Sequence, residues 1–379
     1  MTIRTRAKAI HFIEGVVWNS SPPVGGGEKA EAETMLDSLA KRLILEGGWD
    51  DDDDEDDDED PSSFALHSLW VHYNSSWKHS NAIFDIGDGG GSSEVREGDV
   101  KAESPPPNWR LLHGPPHVIE TLDLSKSNVP QPNPVRLRFP PNVFRQANLD
   151  AFADVVVSIR NRISRYVSED MERAEKEEED DDGAFSKKPR CVELYGGVGT
   201  LGLNVSDLTK YLISSDENPN NAACFRESAE EMIRASVVGS NDDDVGMNAN
   251  ANTKESKMKY VPLNAADMVR EERALEGDGA EVIIVDPPRR GLDDEVIDEL
   301  VRSPGGGDGD DVVGRGRIGG GGRGGPRLLV YVSCGFRAFV RDCDKILAPG
   351  TGWKLDSAEG HVLFPGSDAL ETLAFFVRR

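Results

Sequence analysis

The second half of the chain alternates short apolar runs with helical segments, and this alternation is the feature that most constrains the fold. Five runs are typical of buried strands: CVELY (191–195), YLISS (211–215), KYVPL (259–263), EVIIV (281–285) and LLVYV from residue 328. Helical patterns lie between some of them, near 220–236 and 293–301. Because parallel neighbours need crossover connections, the alternation predicts an α/β fold with a mostly parallel sheet and helices on both faces.

The sequence divides into three regions by composition. Residues 1–125 combine short strand-like runs, such as FALHSLWVHYN, with an acidic tract and a Gly/Ser/Pro-rich segment. This pattern predicts a small β-rich region with long loops. Residues 126–190 form a bridging segment and linker, with a helix predicted from about Leu149. Residues 191–379 form the α/β domain.

The negative charge is concentrated in a few places, so the charge of the whole chain says little about its working surface. The formal net charge is −26. Four runs hold 24 acidic residues between them: 50–60, 175–182, 242–244 and 308–311. The rest is close to neutral, and we interpret the runs as solvated insertions. Those within the α/β domain precede strands, which predicts that they lie at the sheet edge opposite a ligand site.

Cysteine spacing and hydropathy limit the class of protein. The four cysteines are far apart and form no C-x-x-C pair: Cys191, Cys224, Cys334 and Cys343. This spacing favours neither a metal site nor a disulfide framework, so we expect no metal and a reducing, intracellular compartment. No apolar run is long enough to cross a bilayer, so we expect no membrane partner.

A glycine-rich turn follows the first predicted strand of the α/β domain. In ELYGGVGTLGL, Gly197, Gly199 and Gly202 match the dinucleotide pattern G-x-G-x-x-G. Asp216 ends the next strand, where an acidic residue holds ribose hydroxyls. The pattern fits NAD and S-adenosylmethionine equally well, and a tight turn that binds no ligand is the alternative.

Two further motifs end later strands at the same edge. In VDPPRRGLD, Asp286 ends a strand, and two prolines after it remove backbone donors and stiffen the corner. In YVSCGF, Cys334 ends the following strand beside a glycine. A cysteine placed there can act as a thiolate nucleophile. Taken alone, Asp286 could merely precede a rigid turn, and Cys334 could be an inert core residue.

Six motifs together resemble one family. VFRQAN, ELYGGVGTLGL, DENP, VDPPRRGLD, YVSCGF and FPGSDALETL occur in the order and spacing of the RNA uridine-5 methyltransferases, which make 5-methyluridine in tRNA and rRNA. The resemblance covers residues 135–379 and is greatest to plant- and cyanobacterial-type members. Upstream, FIEGVVWNS and LHSLWVHYN resemble the β-rich region before the catalytic domain. In that comparison the chain lacks N-terminal sequence.

The resemblance implies a fold, a cofactor and a partner. It implies a Rossmann-like class I methyltransferase fold with a seven-stranded sheet, S-adenosylmethionine as methyl donor, and tRNA or rRNA as substrate. A monomer in the cytoplasm or a plastid is expected. Cys334 would be the nucleophile that adds to uracil C6, and Glu371 the base that later removes the C5 proton. Contacts with the methyl donor or the substrate pocket are implied for Gln146, Tyr195, Thr200, Asp216 and Asp286.

The sequence departs from the family in two places. Members often have Cys-Gly at Gly196-Gly197, and Asn-Pro at Gly335-Phe336. We interpret the second change as a feature of the plant-like branch. Phe336 and Phe364 could stack on the target base, although positions in the core are the favoured interpretation. The Gly/Arg-rich segment before residue 328 is interpreted as flexible filler, with RNA contact as the alternative.

Three rival functions stay open. A nicotinamide-dependent dehydrogenase is supported by the glycine-rich turn and Asp216 alone. RNA cytosine-5 methylation typically uses a second cysteine at the proline corner, which VDPPRRG lacks. A catalytically inactive RNA-binding module would need neither Cys334 nor Glu371.

Overall fold

The computed structural model describes residues 34, 37–38, 41, 68–72, 109–177, 188–238, 257–270, 280–302, 326–367 and 370–378. The chain divides into two compact units, Met1–Glu120 with Arg138–Phe144, and Thr121–Leu137 with Arg145–Arg379. The acidic runs from residue 178 onward, the run at 50–60, the segment FIEGVVWNS and the Gly/Arg-rich segment lie outside the described residues.

Two short strand pairs precede the main sheet in the chain. The first pair is antiparallel. Strand β1 (Leu69–His72) pairs with β2 (Trp109–His113), so the run LHSLWVHYN does contain a strand. Strand β3 (Val118–Glu120) lies beside β4 (Leu137–Phe139) in a second two-stranded sheet. These pairs confirm a small β region ahead of the main sheet.

The second unit is built on one seven-stranded sheet. Its strands are β5 (Arg190–Leu194), β6 (Tyr211–Ser215), β7 (Met258–Val261), β8 (Val282–Val285), β9 (Leu328–Ser333), β10 (Trp353–His361) and β11 (Glu371–Arg378). The spatial order is β10-β11-β9-β8-β5-β6-β7. Pairs among β5 to β9 are parallel, whereas β11 is antiparallel to both β9 and β10. The predicted α/β fold with a mostly parallel sheet is confirmed.

Six helices are described in this unit. They are α1 (Leu149–Glu177), α2 (Thr200–Leu203), α3 (Asn220–Val238), α4 (Ala265–Arg270), α5 (Asp294–Val301) and α6 (Phe336–Ile346). The helix predicted from Leu149 begins there and continues into the region interpreted as a linker. Helix α6 was not predicted, and it begins two residues after Cys334.

Burial explains why the central strands are continuous apolar runs. All four residues of β8 and all six of β9 are buried, as expected for parallel strands covered on both faces. The largest fully buried side chain is that of Arg160 on α1. Its guanidinium donates to the Asp207 carboxylate at 2.6 and 2.9 Å and also to the carbonyl oxygen of Asn204, which fixes α1 against the turn after α2.

No described helix is long and apolar enough to span a membrane. Within the same ranges, no group of three or more His, Cys, Asp and Glu residues could hold a metal ion.

Candidate active site

The candidate site lies at the carboxyl edge of the sheet, where the strand order reverses. Strand β5 pairs with β6 on one side and with β8 on the other, so the crossovers run in opposite directions from this point. In open α/β sheets, ligands bind in the crevice at such a switch point. The glycine-rich turn follows β5 and the loop 286–293 follows β8, so both predicted motifs border this crevice.

The backbone of the glycine-rich turn explains why glycine is needed there. Gly197 has φ 55° and Gly199 has φ 85°, which is the left-handed region that glycine adopts without strain. A side chain at Gly199 would also collide with the ring of Phe225, since a Cβ atom would lie 2.4 Å from it. A Cβ atom at Gly197 would meet nothing within 4 Å, so this part of the turn borders open space that a ligand can enter.

Asp216 faces this turn from the end of β6. One carboxylate oxygen accepts a hydrogen bond from the Gly197 amide at 3.1 Å. The other accepts from the Asn218 amide at 2.9 Å and from the Asn221 side chain at 3.0 Å. A carboxylate offers about four acceptor sites, so Asp216 keeps capacity for a hydroxyl group of a ribose-containing ligand. Together with the open face of Gly197, this capacity fits an adenosine-containing cofactor.

Glu193 lies beneath the turn, and sequence reasoning missed it. It is buried in β5, and one oxygen accepts a hydrogen bond from the Gly202 amide at 2.8 Å. Cβ atoms at Gly196 and Gly202 would lie 2.8 and 2.4 Å from the other oxygen, so both glycines make room for it. Burial raises the pKa of Glu193 to about 7. A charged residue in the otherwise apolar run CVELY was the signal that could have revealed it.

Tyr195 connects the glycine-rich turn to the loop after β8. It leaves β5 with φ 59°, the one described non-glycine residue with positive φ. Its hydroxyl donates to the Asp293 carboxylate at 3.0 Å and accepts from the Asp293 amide at 3.1 Å. Burial raises its pKa well above the usual value. The hydroxyl is thus engaged within the protein, so a cofactor contact at Tyr195 would involve the ring or the backbone.

Thr200 lies at the glycine-rich turn, whereas Gln146 is not connected to it by any described contact. Thr200 is the first residue of α2, directly after the glycine-rich turn. Gln146 lies in the loop before α1 and is half-buried. Two residues further on, the Asn148 side chain donates to the Leu363 carbonyl oxygen at 2.7 Å and anchors this loop. No hydrogen bond among the described residues joins Gln146 to the other predicted site residues.

Cys334 and Glu371 are brought together by the pairing of β9 with β11. Thr372 is the register partner of Ser333. Cys334 follows Ser333 and Glu371 precedes Thr372, so the antiparallel register places them opposite each other. Cys334 is exposed, unlike the other three cysteines, and Glu371 is buried.

The Glu371 carboxyl group is buried without a full set of partners. One of its oxygens has no hydrogen-bond partner among the described residues. Burial raises the pKa of Glu371 to about 7, and the positive charge of Arg289 opposes this shift. A carboxyl group in this state can release or take up a proton near neutral pH.

Asp286 and Arg289 complete the surroundings of the thiol. Although the Cys334 residue is exposed, partial burial of its thiol raises the pKa, and the charges of Glu371 and Asp286 add to this. Hydrogen bonding and positive charge from Arg289 lower it again. Burial raises the pKa of Asp286 well above the usual range, and the Glu371 charge adds to this. Sequence reasoning missed Arg289, which directly follows the two prolines of VDPPRRG.

The loop after β8 is held from below by a buried carboxylate on α6. Asp342 is fully buried and accepts hydrogen bonds from the Leu292 amide and from the Tyr331 hydroxyl, both at 2.8 Å. It also pairs with the guanidinium of Arg341 at 2.9 Å. Since Tyr195 holds the next residue of the loop, Asp293, the loop is fixed on both sides.

Curated relatives of the chain are named as RNA methyltransferases. No family model matches the chain. It is 24% identical over 312 residues to an uncharacterized RNA methyltransferase of Protochlamydia amoebophila, covering 82% of this chain and 55% of the relative. It is 27% identical over 185 residues to a tRNA (uracil(54)-C(5))-methyltransferase of Pyrococcus horikoshii, covering 49% of this chain and 32% of the relative. The resemblance to RNA methyltransferases is confirmed.

Among solved structures, the chain is similar to the Pyrococcus abyssi tRNA (uracil-54, C5)-methyltransferase in complex with S-adenosyl-L-homocysteine. The TM-score is 0.45 at 18% identity, with 83% of this chain and 52% of that chain covered. This chain therefore spans about half the length of the Protochlamydia RNA methyltransferase and of this solved structure, and about a third of the Pyrococcus horikoshii enzyme.

Proposed function

We propose that this protein transfers a methyl group from S-adenosylmethionine to C5 of uridine in tRNA or rRNA. The observation that carries the proposal is the pair formed by the partly buried thiol of the exposed residue Cys334 and the buried Glu371 carboxyl group, at the same sheet edge as the glycine-rich turn. Relatives named as RNA methyltransferases support the substrate class.

The cofactor would lie against the glycine-rich turn. Asp216 would hold its ribose hydroxyls, and the open face of Gly197 would let the ligand approach the backbone closely. Thr200, Tyr195 and Gln146 border the same space in the proposal. When bound, S-adenosylmethionine supplies an electrophilic methyl group. Glu193 supports the turn through the Gly202 amide and does not need to touch the ligand.

Cys334 would act as the nucleophile toward uracil. Carbon C5 of uracil is a weak nucleophile, and addition of a thiolate at C6 forms an enolate that places electron density at C5. The thiolate is the reactive form, so the raised pKa of Cys334 must be offset in the reacting complex. Arg289 is placed to do this, since its charge and hydrogen bonding favour the thiolate.

Glu371 would complete the reaction. After methylation, C5 is saturated and still carries its proton. Removal of that proton by the Glu371 carboxylate returns the electron pair to the ring, re-forms the C5–C6 double bond and expels the Cys334 thiolate. A carboxyl group with a pKa of about 7 is a stronger base than an ordinary glutamate and is still largely ionised at slightly alkaline pH.

Trapping the covalent intermediate tests this assignment. The purified full chain is incubated with S-adenosylmethionine and uridine-containing tRNA or rRNA, and 5-methyluridine is measured by mass spectrometry of the digested RNA. We expect Glu371→Gln to accumulate a protein–RNA adduct that survives denaturing gels, and Cys334→Ala to form none. Glu359→Gln, on the exposed part of β10, is the matched control and should turn over normally.

Two outcomes would reject the proposal. Adducts in both Glu371→Gln and Cys334→Ala, or in neither, would contradict the assigned roles. Thermal stabilisation by NAD and not by S-adenosylhomocysteine would favour the dehydrogenase instead.

A further inference from the structure

One face of helix α6 is exposed beside the candidate nucleophile. Phe336 and Val340 are four residues apart, and so are Arg337 and Arg341, so the two pairs form neighbouring stripes about 100° apart on the helix. All four residues are exposed. We call them the α6 face. It begins two residues after Cys334.

Phe336 is the apolar part of this face. It is 54% exposed, so the expectation that it lies in the core is wrong, and Phe364 is also exposed, at 38%. The Phe336 ring leans on Phe339, with centroids 6.3 Å apart and planes tilted by 34°. One side of the ring is therefore supported while the other is available for stacking. Phe336 is the first residue of α6.

Arginine side chains provide the polar part of the face. Arg337 has no acidic partner among the described residues. Arg341 is 55% exposed, and although it pairs with the buried Asp342, it also donates to the Arg290 carbonyl oxygen at 2.7 Å and keeps N–H groups toward solvent. Asp344 is exposed one turn further along the helix and marks the end of the basic stretch.

The charge of the α6 face differs from that of the whole chain. Outside the four acidic runs the chain is close to neutral, so Arg337 gives the surface beside the candidate nucleophile a local positive charge. Lys345, the next basic residue on the helix, is neutralised by Asp294 at 2.8 Å. The unpaired positive charge is therefore concentrated in the first turn, at Arg337, close to Cys334 and Arg289.

We propose that the α6 face binds the single-stranded RNA segment next to the target uridine. Phe336 stacks on a neighbouring base, and Arg337 and Arg341 contact its phosphates. This inference rests on the proposed function, because a uridine that must leave its stack also leaves a neighbouring base without a stacking partner. A ring with an adjacent guanidinium matches single-stranded RNA, whereas an acidic peptide would need the arginines alone.

Binding measurements separate the two parts of the face. Fluorescence anisotropy with a labelled single-stranded oligouridine of about 20 nucleotides reports the affinity of the full chain. We expect Phe336→Ala to weaken binding by about 5-fold or more, and Phe336→Tyr to restore it. Arg337→Ala should lower the slope of log affinity against log salt by about 0.7, the value for one phosphate contact on a single strand.

Matched controls lie on helix α3. Ile233 and Arg226 are an exposed apolar residue and an exposed arginine there, and Ile233→Ala and Arg226→Ala should leave affinity and salt slope unchanged. Heparin serves as a polyanion without bases. If Arg337→Ala weakens heparin and RNA alike while Phe336→Ala changes neither, the face only attracts polyanions and the proposal is overturned.

The same variants distinguish this inference from the proposed function. Suppose that the wild-type chain transfers methyl groups, and that neither Phe336→Ala nor Arg337→Ala changes the RNA affinity. This result would refute RNA binding by the α6 face and leave the proposed function intact. Suppose instead that RNA binding depends on both residues but that no tested RNA is methylated. This result would support RNA binding by the α6 face and refute the proposed function. Methyl transfer together with the expected losses of affinity supports both.

Discussion

A methyl group on Gly335 would lie 2.5 Å from the backbone oxygen of Arg289. The end of β9 therefore packs directly on the backbone of the loop that carries Asp286 and Arg289. Gly335 has φ −120°, so its backbone conformation does not require glycine and the constraint is purely steric. This contact gives a physical reason for glycine at position 335.

We expect Gly335→Ala to displace this loop and to reduce methyl transfer at least about 10-fold, since small misplacements of catalytic groups have such effects. Overpacking should also lower the free energy of unfolding by about 1–3 kcal/mol. Denaturant unfolding and single-turnover kinetics measure the two effects. Gly360→Ala is the control, because its Cβ would meet only the flexible Leu370 side chain at 3.3 Å. If Gly335→Ala and Gly360→Ala change the unfolding free energy and the rate of methyl transfer equally, the steric argument is contradicted.

The pH dependence of adduct breakdown should report Glu371. Its pKa is about 7, and the deprotonated form is the base, so the rate should rise with pH through this value and level off above it. At one unit below the pKa, about a tenth of the groups are ionised, and the rate should fall to about a tenth of its plateau. Rapid-quench measurements of the covalent species provide the test. A rate that is flat across this interval would exclude Glu371 as the base.

Glu193→Gln should change how stability depends on pH. Burial raises the folded-state pKa of Glu193 from 4.5 to about 7, so its protonated form is favoured in the fold. The stabilisation from protonated Glu193 is fully present below the pKa of the unfolded chain, 4.5, and it is lost as the pH rises from there through about 7. The free energy of unfolding should fall by about 3 kcal/mol over this pH range in the wild-type chain, and Glu193→Gln should not show this fall. Urea unfolding at several pH values measures the difference, and Glu359→Gln should retain the wild-type slope.

Asp342→Asn should weaken the support of the loop after β8. One oxygen of the buried carboxylate accepts from the Leu292 amide and the Tyr331 hydroxyl, and the other accepts from the Arg341 guanidinium. An amide in its place offers only one acceptor oxygen, so one of these two sets of donors loses its partner. We expect a loss of about 3 kcal/mol in unfolding free energy, and a fall in kcat with little change in cofactor affinity. Asp344→Asn, on the exposed side of the same helix, is the control. If cofactor affinity falls as much as kcat, Asp342 does not act through the loop alone.

Asp216→Ala should weaken binding of S-adenosylhomocysteine. A hydrogen bond to a charged group contributes about 1.5–3 kcal/mol, so the affinity should fall by about 10- to 100-fold. Titration calorimetry measures this directly, and circular dichroism checks that the fold persists without the contact to the Gly197 amide. An unchanged dissociation constant would refute the ribose assignment.

The sequence by itself determined the central strands and the residues that end them. Apolar runs of four or five residues are long enough to specify buried parallel strands, and the structure has β5, β6, β8 and β9 within a residue or two of the predicted bounds. Parallel strands share a carboxyl edge, so Asp216, Asp286 and Cys334 could be assigned to one crevice from their positions alone.

Only the tertiary structure decided which side chains surround the thiol. Strand β11 enters antiparallel between β9 and β10, and this reversal brings its first residue, Glu371, to the edge where Cys334 ends β9. Strand direction and register depend on contacts between distant segments, which local periodicity does not encode. The same holds for Glu193, whose burial beneath the glycine-rich turn raises its pKa, and for Arg289, whose position depends on close packing against Gly335.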